Sequence, residues 1–349
     1  MSHSLMLLSV SVSIISVIAF CASTSYGGEV LDVVQAGKHT APVYERENDM
    51  DKYNHLTTDN TVADVVNNRA FKGFGQYILP LEWRYDPEMK LRNIPSLLPY
   101  HNYVDASRAV GYINDMIDMV ARGNKLYYPL GRKDAGLFFF PGRPYAPFAV
   151  ICPGGGFSYV GSIHEGFPLA MSLSKKGYNA FVIQYNVARG AQSAVEDLAA
   201  GIDFIFKHAS ELKVSTNDYS VWGGSAGARM AAYIGSYPPA AFGGVVNARP
   251  ATVVMGYTGH SEYTRQDPPT YVVIGANDGI ASPALMRRRV EALKAIGIDS
   301  EFHLFPNLRH GFGLGTGTSA DGWIDGAVKF WERHMSIPQN AINQSKQQI

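Results

Sequence analysis

Ser225 lies in a setting that suits a nucleophile. It is the central residue of Gly223-Gly224-Ser225-Ala226-Gly227, a G-x-S-x-G pattern. Residues 218–222 before it are β-branched and aromatic, as in a buried strand, and residues 226–235 after it read as a helix closed by glycine. A strand, a tight turn between glycines and a helix expose a serine hydroxyl for attack. The alternative is a glycine-rich turn in an α/β protein with some other function.

A serine nucleophile needs a base that takes its proton and a carboxylate that orients the base. Asp278 follows a predicted strand at residues 269–275, and catalytic groups gather at the carboxyl ends of strands in open parallel sheets. We therefore predict that Asp278 is this carboxylate. The competing interpretation is that Asp278 only caps the helix that begins near residue 283, although Asn277 or Ser282 can do that equally well.

His310 is the histidine best placed to act as the base. It lies in a loop between the last predicted strand, residues 299–305, and the last predicted helix, residues 321–334. His303 is the competitor, but it lies within the strand itself. The resulting chain order of serine, aspartate and histidine is one of the known orders of such triads.

Three consecutive glycines, Gly154, Gly155 and Gly156, follow the apolar residues 147–152. Glycines let the backbone approach a substrate oxygen without a Cβ in between, and backbone N–H groups aimed at an oxyanion lower the barrier to acyl transfer. We expect the donors to be the amides of Gly155 or Gly156 and of Ala226, the residue after the nucleophile. Such a turn can also bind phosphate, but no Walker lysine follows and the G-x-G-x-x-G spacing is missing here.

The chain from about residue 147 to residue 331 resembles the α/β-hydrolase esterases, in the branch of hormone-sensitive-lipase-like, dienelactone-hydrolase-like and bacterial acetyl (xylan) esterases. The matching stretches are C-P-G-G-G-F, H-E-G-F-P, G-Y, G-G-S-A-G and H-G-F, which begin at residues 152, 164, 177, 223 and 310. The resemblance implies a serine-esterase triad of Ser225, Asp278 and His310. Pro153 stands where many relatives have the histidine of H-G-G-G, so the contacts behind the glycine loop must differ.

The order of the predicted elements gives an α/β-hydrolase fold, with a mostly parallel central sheet flanked by helices. Residues 125–130 and 136–140 are strands that open the sheet in antiparallel fashion, after a helix at residues 104–122 with Val110, Ile113, Ile117 and Val120 on one stripe. The interval 257–269 has the length of a loop, so we expect no large cap between the strands before the acid.

We expect four segments along the chain. They are a signal peptide at residues 1–25, an N-terminal extension packed on the core at 26–124, the catalytic domain at 125–337 and a polar tail at 338–349. Residues 5–20 are apolar but shorter than a spanning helix, and small residues follow. This predicts export to the periplasm or the outside, with no membrane span after cleavage; an uncleaved anchor is the alternative, since residues 1–4 carry no lysine or arginine.

The composition limits the partners and cofactors. The chain has 349 residues with 30 basic and 30 acidic side chains and no basic run, which argues against nucleic acid or an anionic membrane surface as the main partner. No spacing of histidines, cysteines or carboxylates indicates a metal, and we predict no cofactor. The oligomeric state is not predicted by the sequence.

Four residues outside the predicted triad and oxyanion loop have structural and functional interpretations. Glu165, in the first turn of a predicted helix, is favoured there by the helix dipole and has a structural role by default, with substrate contact as the alternative. Asp197 resembles an acidic position that braces a neighbouring loop in relatives. Trp83 and Tyr85 either fix the extension to the body or stack on sugar rings at the mouth of the site.

The predicted function is therefore that of a secreted serine esterase that removes short acyl groups, above all acetyl, from a small-molecule or carbohydrate ester. A peptidase or amidase uses the same constellation, and a general carboxylesterase is a close alternative. A secreted binding or structural protein on a hydrolase scaffold is the alternative of another class. The complete triad argues against it.

Overall fold

Eight strands form one sheet in the computed structural model, which describes residues 53–82 and 86–336. They are β1 (Tyr127–Pro129), β2 (Gly136–Phe140), β3 (Pro147–Cys152), β4 (Asn179–Gln184), β5 (Ser215–Gly224), β6 (Thr252–Gly256), β7 (Thr270–Gly275) and β8 (Ser300–Phe305). Their order across the sheet is β1-β2-β4-β3-β5-β6-β7-β8. β2 is antiparallel to both of its neighbours and all other pairs are parallel, which confirms the predicted mostly parallel sheet.

The helices cover the sheet on both faces. They are α1 (Val62–Val66), α2 (Ala106–Ala121), α3 (Phe167–Lys175), α4 (Gly190–Lys207), α5 (Ala209–Leu212), α6 (Ala226–Ser236), α7 (Pro283–Ala295) and α8 (Trp323–Arg333). Every residue of β4, β6 and β7 is buried, which requires cover on each side of these strands. β8 lies at the edge of the sheet and is partly exposed along its length. Cys152, at the end of β3, is buried.

The described part of the N-terminal extension shares its hydrophobic core with the sheet. Short 3₁₀ helices at Arg69–Phe71, Gly75–Tyr77 and Leu91–Leu97 pack with α1 and α2. The predicted helix is α2, which the Asp105 side chain caps by accepting a hydrogen bond from the Arg108 amide. Its predicted stripe is buried except at Val120, which is half-buried.

The interval between β6 and β7 contains no helix or strand at residues 257–269, which agrees with the loop predicted there. No helix within 53–82 or 86–336 is long and apolar enough to cross a membrane. The predicted signal peptide, the polar tail from residue 338, and Trp83 with Tyr85 all lie outside the described residues.

Candidate active site

Ser225 lies on the turn between β5 and α6 with strained backbone angles, φ 51° and ψ −116°. A positive φ is unfavourable for a serine, and surrounding contacts must hold it. The Ser225 amide donates a hydrogen bond to the Gly256 carbonyl oxygen at 2.9 Å. A Cβ on Gly227 would lie 1.8 Å from the Cys152 carbonyl oxygen, so the first turn of α6 approaches β3 as closely as only glycine allows. The pattern of glycines around Ser225 therefore follows from the tightness of this turn.

The structure brings Ser225, His310 and Asp278 together. The distance from Ser225 Oγ to His310 Nε2 is 2.9 Å, and His310 Nδ1 lies 2.8 Å from Asp278 Oδ2 and 3.1 Å from its Oδ1. The side chains of His310 and Asp278 are 3% and 0% exposed. Water therefore does not compete for the bond between imidazole and carboxylate. This arrangement allows the imidazole to take a proton from the serine hydroxyl and the carboxylate to orient and stabilise the imidazolium.

Asp278 also fixes the backbone that follows β7. Its Oδ1 accepts hydrogen bonds from the amides of Ile280 and Ala281, at 2.8 and 2.7 Å. The N-cap of α7, however, is Ser282, whose hydroxyl accepts from the Leu285 amide. The structure thus assigns the capping of α7 to Ser282 and leaves the second carboxylate oxygen of Asp278 to the histidine.

The competing histidine, His303, lies elsewhere. It is part of β8, its Nε2 is 2.8 Å from Glu301 Oε2, and its ring stacks on Tyr271 at 4.4 Å between centroids. The structure does not bring it to Ser225.

A cleft of about 400 Å³ opens beside Ser225. Its walls are formed by Gly156, Phe157, Ser225, Ala226, Arg229, residues 257–262, Ile280, Ala281 and His310. Gly156 and Ala226, two of the expected oxyanion donors, thus share the cleft with the serine. Gly155 is not among the lining residues and instead turns the chain, with φ +130°. A Cβ on Gly155 would lie 2.1 Å from the Tyr159 carbonyl oxygen, so only glycine fits there. Within the described ranges, no group of three or more histidines, cysteines and carboxylates could hold a metal ion.

Glu165 holds the glycine loop from behind. Its carboxylate is 2% exposed and accepts hydrogen bonds from the Gly154 amide at 2.6 Å and from the Tyr257 hydroxyl at 2.8 Å. Burial raises the pKa of Glu165, but the His101 ring and the Tyr257 hydroxyl outweigh it and lower that pKa to about 2. The structural role expected for Glu165 is correct, but its origin is these buried contacts and not the dipole of a helix, since residues 162–166 form a single π turn before α3.

The contacts behind Pro153 follow from the same residues. The Tyr185 hydroxyl donates to the Pro153 carbonyl oxygen at 2.8 Å, and Glu165 binds the next amide. The loop thus has its supports without the histidine of H-G-G-G. Asp197 braces a loop as expected, accepting from the Asn186 amide at 2.9 Å and pairing with Arg132.

Tyr257 links the glycine loop to the histidine loop, and the sequence analysis did not identify it. Its ring meets His310 edge to face at 5.1 Å between centroids, and its hydroxyl accepts a hydrogen bond from the Gly313 amide at 3.2 Å while donating to Glu165. Burial and the Glu165 carboxylate raise the pKa of Tyr257 well above its usual value, so it remains a donor. Its place directly after β6, at the carboxyl edge of the sheet, is the signal that could have revealed it.

Residues of the N-terminal extension complete the support of the site, and sequence reasoning missed them as well. Asn102 Nδ2 donates to the His310 carbonyl oxygen at 2.7 Å, and the Asn102 amide donates to the Gly311 carbonyl oxygen at 3.0 Å. His101 Nε2 lies 3.1 Å from Glu165 Oε1, outside the direction of a hydrogen bond, and its Nδ1 is 2.9 Å from the Tyr159 hydroxyl. No local sequence signal identifies these two residues, because their partners lie far along the chain.

Part of the chain is similar to known proteins. A family profile described as BD-FAE matches residues 142–243, which include β3, the glycine loop and the Ser225 turn. An acetylxylan esterase of Xylanibacter ruminicola is 25% identical over 208 residues, 51% of this chain. The match spans 43% of the length of that curated relative, less than half of it.

Solved structures share the fold. An acetyl ester-xyloside bifunctional hydrolase from Caldicellulosiruptor lactoaceticus superimposes with a TM-score of 0.53 at 21% identity, covering 59% of this chain and 95% of the other. The α/β hydrolase MGS-M1, from a Medee basin deep-sea metagenome library, gives a TM-score of 0.53 at 24% identity, covering 60% and 97%. The eight-stranded sheet, the strand-turn-helix at Ser225 and these solved structures together show an α/β-hydrolase fold, and part of the sequence is similar to the BD-FAE profile and to one acetylxylan esterase.

Proposed function

We propose that this protein is a serine ester hydrolase that removes short acyl groups, acetyl above all, from a carbohydrate alcohol. His310 takes the proton of Ser225, and Ser225 Oγ attacks the ester carbonyl carbon. The amides of Ala226 and of Gly156 or Gly155 stabilise the oxyanion of the tetrahedral intermediate. His310 then protonates the departing alcohol, and water releases the acid from the acyl-enzyme by the same steps in reverse.

The observation that carries this proposal is the unbroken series of hydrogen-bond distances from Asp278 through His310 to Ser225, 2.8 and 2.9 Å long, beside an open cleft. A serine in a strained turn, with its base already in place, is prepared for nucleophilic attack. The carbohydrate part of the proposal is supported by the acetylxylan esterase relative. A cleft of about 400 Å³ is within the range of small-molecule sites.

The proposal is tested by a hydrolysis screen of the purified protein. Acetylated xylan, acetylated monosaccharides, aryl acetate and the matching aryl acetamide are the substrates, and released acetate is measured for each. We expect acetate from the acetylated sugars and none from the amide. Faster cleavage of the amide would support the amidase alternative, and cleavage of the aryl ester without any acetylated sugar would support a general carboxylesterase.

The role of serine is tested by inhibition. A serine-directed sulfonyl fluoride should abolish hydrolysis and add its mass to the peptide that contains Ser225. Prolonged chelation should leave the rate unchanged, because the proposed mechanism has no metal-dependent step. A loss on chelation that zinc or calcium restores would contradict it.

Export is a separate proposal, based on the apolar residues 5–20 and the small residues after them. It is tested by expressing the full chain with its own N-terminus and determining the N-terminal sequence of the protein in each cell fraction. An N-terminus near residue 25 in the periplasm or the medium would support it. An intact N-terminus in the cytoplasm would contradict it.

A further inference from the structure

A cationic side chain lies on the wall of the cleft close to the nucleophile. Arg229 is exposed and lies in the first turn of α6, and its amide donates a hydrogen bond to the Ser225 carbonyl oxygen at 3.3 Å. Both line the cleft, together with His310 and the loop of residues 257–262. A group bound at Ser225 is therefore within the same enclosure as the guanidinium.

The guanidinium of Arg229 is held in place but not neutralised. Its Nη2 donates a hydrogen bond to the Tyr233 hydroxyl at 3.1 Å, and its Cζ lies 5.5 Å from the centre of the Tyr233 ring. Within the part of the chain that the structure describes, no carboxylate forms an ion pair with it. Arg289, by contrast, pairs with Asp267 at 2.6 Å. Arg229 thus keeps donor groups for a ligand.

The other ionisable groups of the cleft leave Arg229 available. Burial, with Arg289 and Arg229 acting in the same direction, lowers the pKa of His260 to about 4, so this ring is neutral at pH 7. Glu262 also lines the cleft and is exposed, which makes it the opposing charge on this wall. The Glu262 backbone is fixed by Arg289, whose Nε donates to the Glu262 carbonyl oxygen at 3.2 Å. We therefore expect Arg229 to attract an anionic ligand and Glu262 to repel it.

The shape of a guanidinium indicates which anion it would bind. Its N–H groups form a planar fork that matches the two oxygens of a carboxylate, which gives a geometric preference beyond charge. An acetyl group carries no charge, so a carboxylate in the substrate must be on the alcohol half of the ester. This step rests on the proposed function. We infer that the preferred substrates are acetyl esters of a sugar that carries a carboxylate, that is, of a uronic acid, with Arg229 as the residue that recognises the carboxylate.

The test compares two substrates that differ only in this group. Acetylated methyl glucuronoside and acetylated methyl glucoside have the same ring and the same acetyl esters, with a carboxylate in one where the other has a hydroxymethyl group. The measured quantity is the ratio of kcat/KM for the uronate to that for the glucoside, at pH 7.5 and low salt. We expect roughly a fivefold preference for the uronate, which decreases as salt screens the charge.

Three substitutions assign the preference to the cleft. Arg229→Gln should bring the ratio to about one, Arg229→Lys should keep part of the preference, and Glu262→Gln should increase it. Arg288→Gln, an exposed arginine of α7 outside the cleft, is the matched control and should leave the ratio as in the parent. Because the readout is a ratio, a variant with a smaller folded fraction still gives an answer.

Two outcomes overturn the inference alone. They are a parent ratio of one or less, and a ratio that Arg229→Gln and Arg229→Lys leave unchanged while the glucoside is still hydrolysed. An enzyme that hydrolyses neither sugar nor aryl acetate would reject the proposed function, and the inference with it. Failure of the inference is thus distinguished from failure of the function by activity on the neutral substrates.

Discussion

Asn102 and His310 are 208 positions apart in the chain, yet Asn102 Nδ2 donates to the His310 carbonyl oxygen at 2.7 Å. The backbone amide of Asn102 donates a hydrogen bond to the carbonyl oxygen of Gly311. Two hydrogen bonds from one residue therefore fix the backbone that carries the His310 imidazole. In the described residues the extension approaches the site from behind the histidine loop, and the residues that line the cleft come from positions 156 to 310.

This contact predicts that Asn102→Ala slows catalysis without removing the triad. Loss of a hydrogen bond to a fixed backbone group is worth about 1 kcal/mol, so kcat should fall roughly three- to tenfold. KM should change little, because Asn102 does not line the cleft. The decisive readout is the imidazole signal of His310 by NMR, which should broaden or split in the variant. A lower Tm with an unchanged kcat and an unchanged imidazole signal would reduce Asn102 to a purely structural residue.

Substitution of the nucleophile or the base should abolish ester hydrolysis. Ser225→Ala and His310→Ala should each lower kcat by about 10⁴-fold or more, because the members of a triad act as a unit and either loss removes most of the effect. The double variant should be no slower than the single variants. Circular dichroism and the thermal midpoint serve as the control for folding. Activity within tenfold of the parent at equal folded fraction would contradict the assignment.

Asp278→Asn should also lower kcat, by as much as about 10⁴-fold, through loss of the correct imidazole tautomer. The asparagine oxygen can still accept from the amides of Ile280 and Ala281, so the turn after β7 should remain folded. The deficit should therefore appear in the rate and not in stability. Parent-like activity of Asp278→Asn would mean that another acid orients His310.

The residues at the carboxyl edge of the sheet could be predicted from the sequence because a physical rule places them there. Ser225, Asp278 and His310 each follow a strand with a clear apolar pattern, and parallel strands end at one edge. Tyr257 obeys the same rule after β6, but an aromatic side chain after a strand does not by itself indicate chemistry. It is recognised only through its contacts with Glu165 and His310.

The supports of the site could not be predicted from local patterns. His101 and Asn102 act across long stretches of chain, and nothing near them in the sequence encodes which loop they contact. Glu165 illustrates a different limit, since its position suggested a first helical turn where the dipole favours a carboxylate, whereas tertiary packing buries it under the glycine loop. Local rules thus predicted the elements and the three residues of the proposed triad, while burial and long-range contacts determined what holds them.

Two buried histidines should make the protein less stable in mild acid. Burial lowers the pKa of His164 to about 4, with His101 acting in the same direction, and burial likewise lowers that of His260 to about 4. In the unfolded chain both return to about 6.5 and bind protons first. The free energy of unfolding that the two neutral histidines contribute is therefore fully present above pH 6.5. It is lost as the pH falls to 4, at about 1.4 kcal/mol per pH unit for each histidine.

Urea unfolding at pH 7.5, 6.5, 5.5 and 4.5 measures this dependence. His164→Gln keeps a donor near the Gly311 carbonyl oxygen and should flatten the slope in this range. The depressed pKa of Glu165 acts in a separate window, because its contribution persists down to about pH 4.5 and is lost toward pH 2. A free energy of unfolding that stays constant from pH 6.5 to 4.5 would contradict the prediction.

The open cleft predicts a preference for short acyl chains. Lipases shelter long chains under lids, often inserted before the acid strand, but residues 257–269 form only a loop here. Ile280, on the rim of the cleft, is 63% exposed, so the apolar surface near Ser225 faces water. A chain that is not sheltered gains little of the approximately 0.8 kcal/mol that each buried CH₂ contributes. We therefore expect kcat/KM to be highest for aryl acetate and to fall through butyrate, octanoate and palmitate, measured below the micellar concentration of each ester. A maximum at octanoate or longer would reject the open-cleft explanation and direct attention to residues 62–122 of the extension as a cover for the acyl chain.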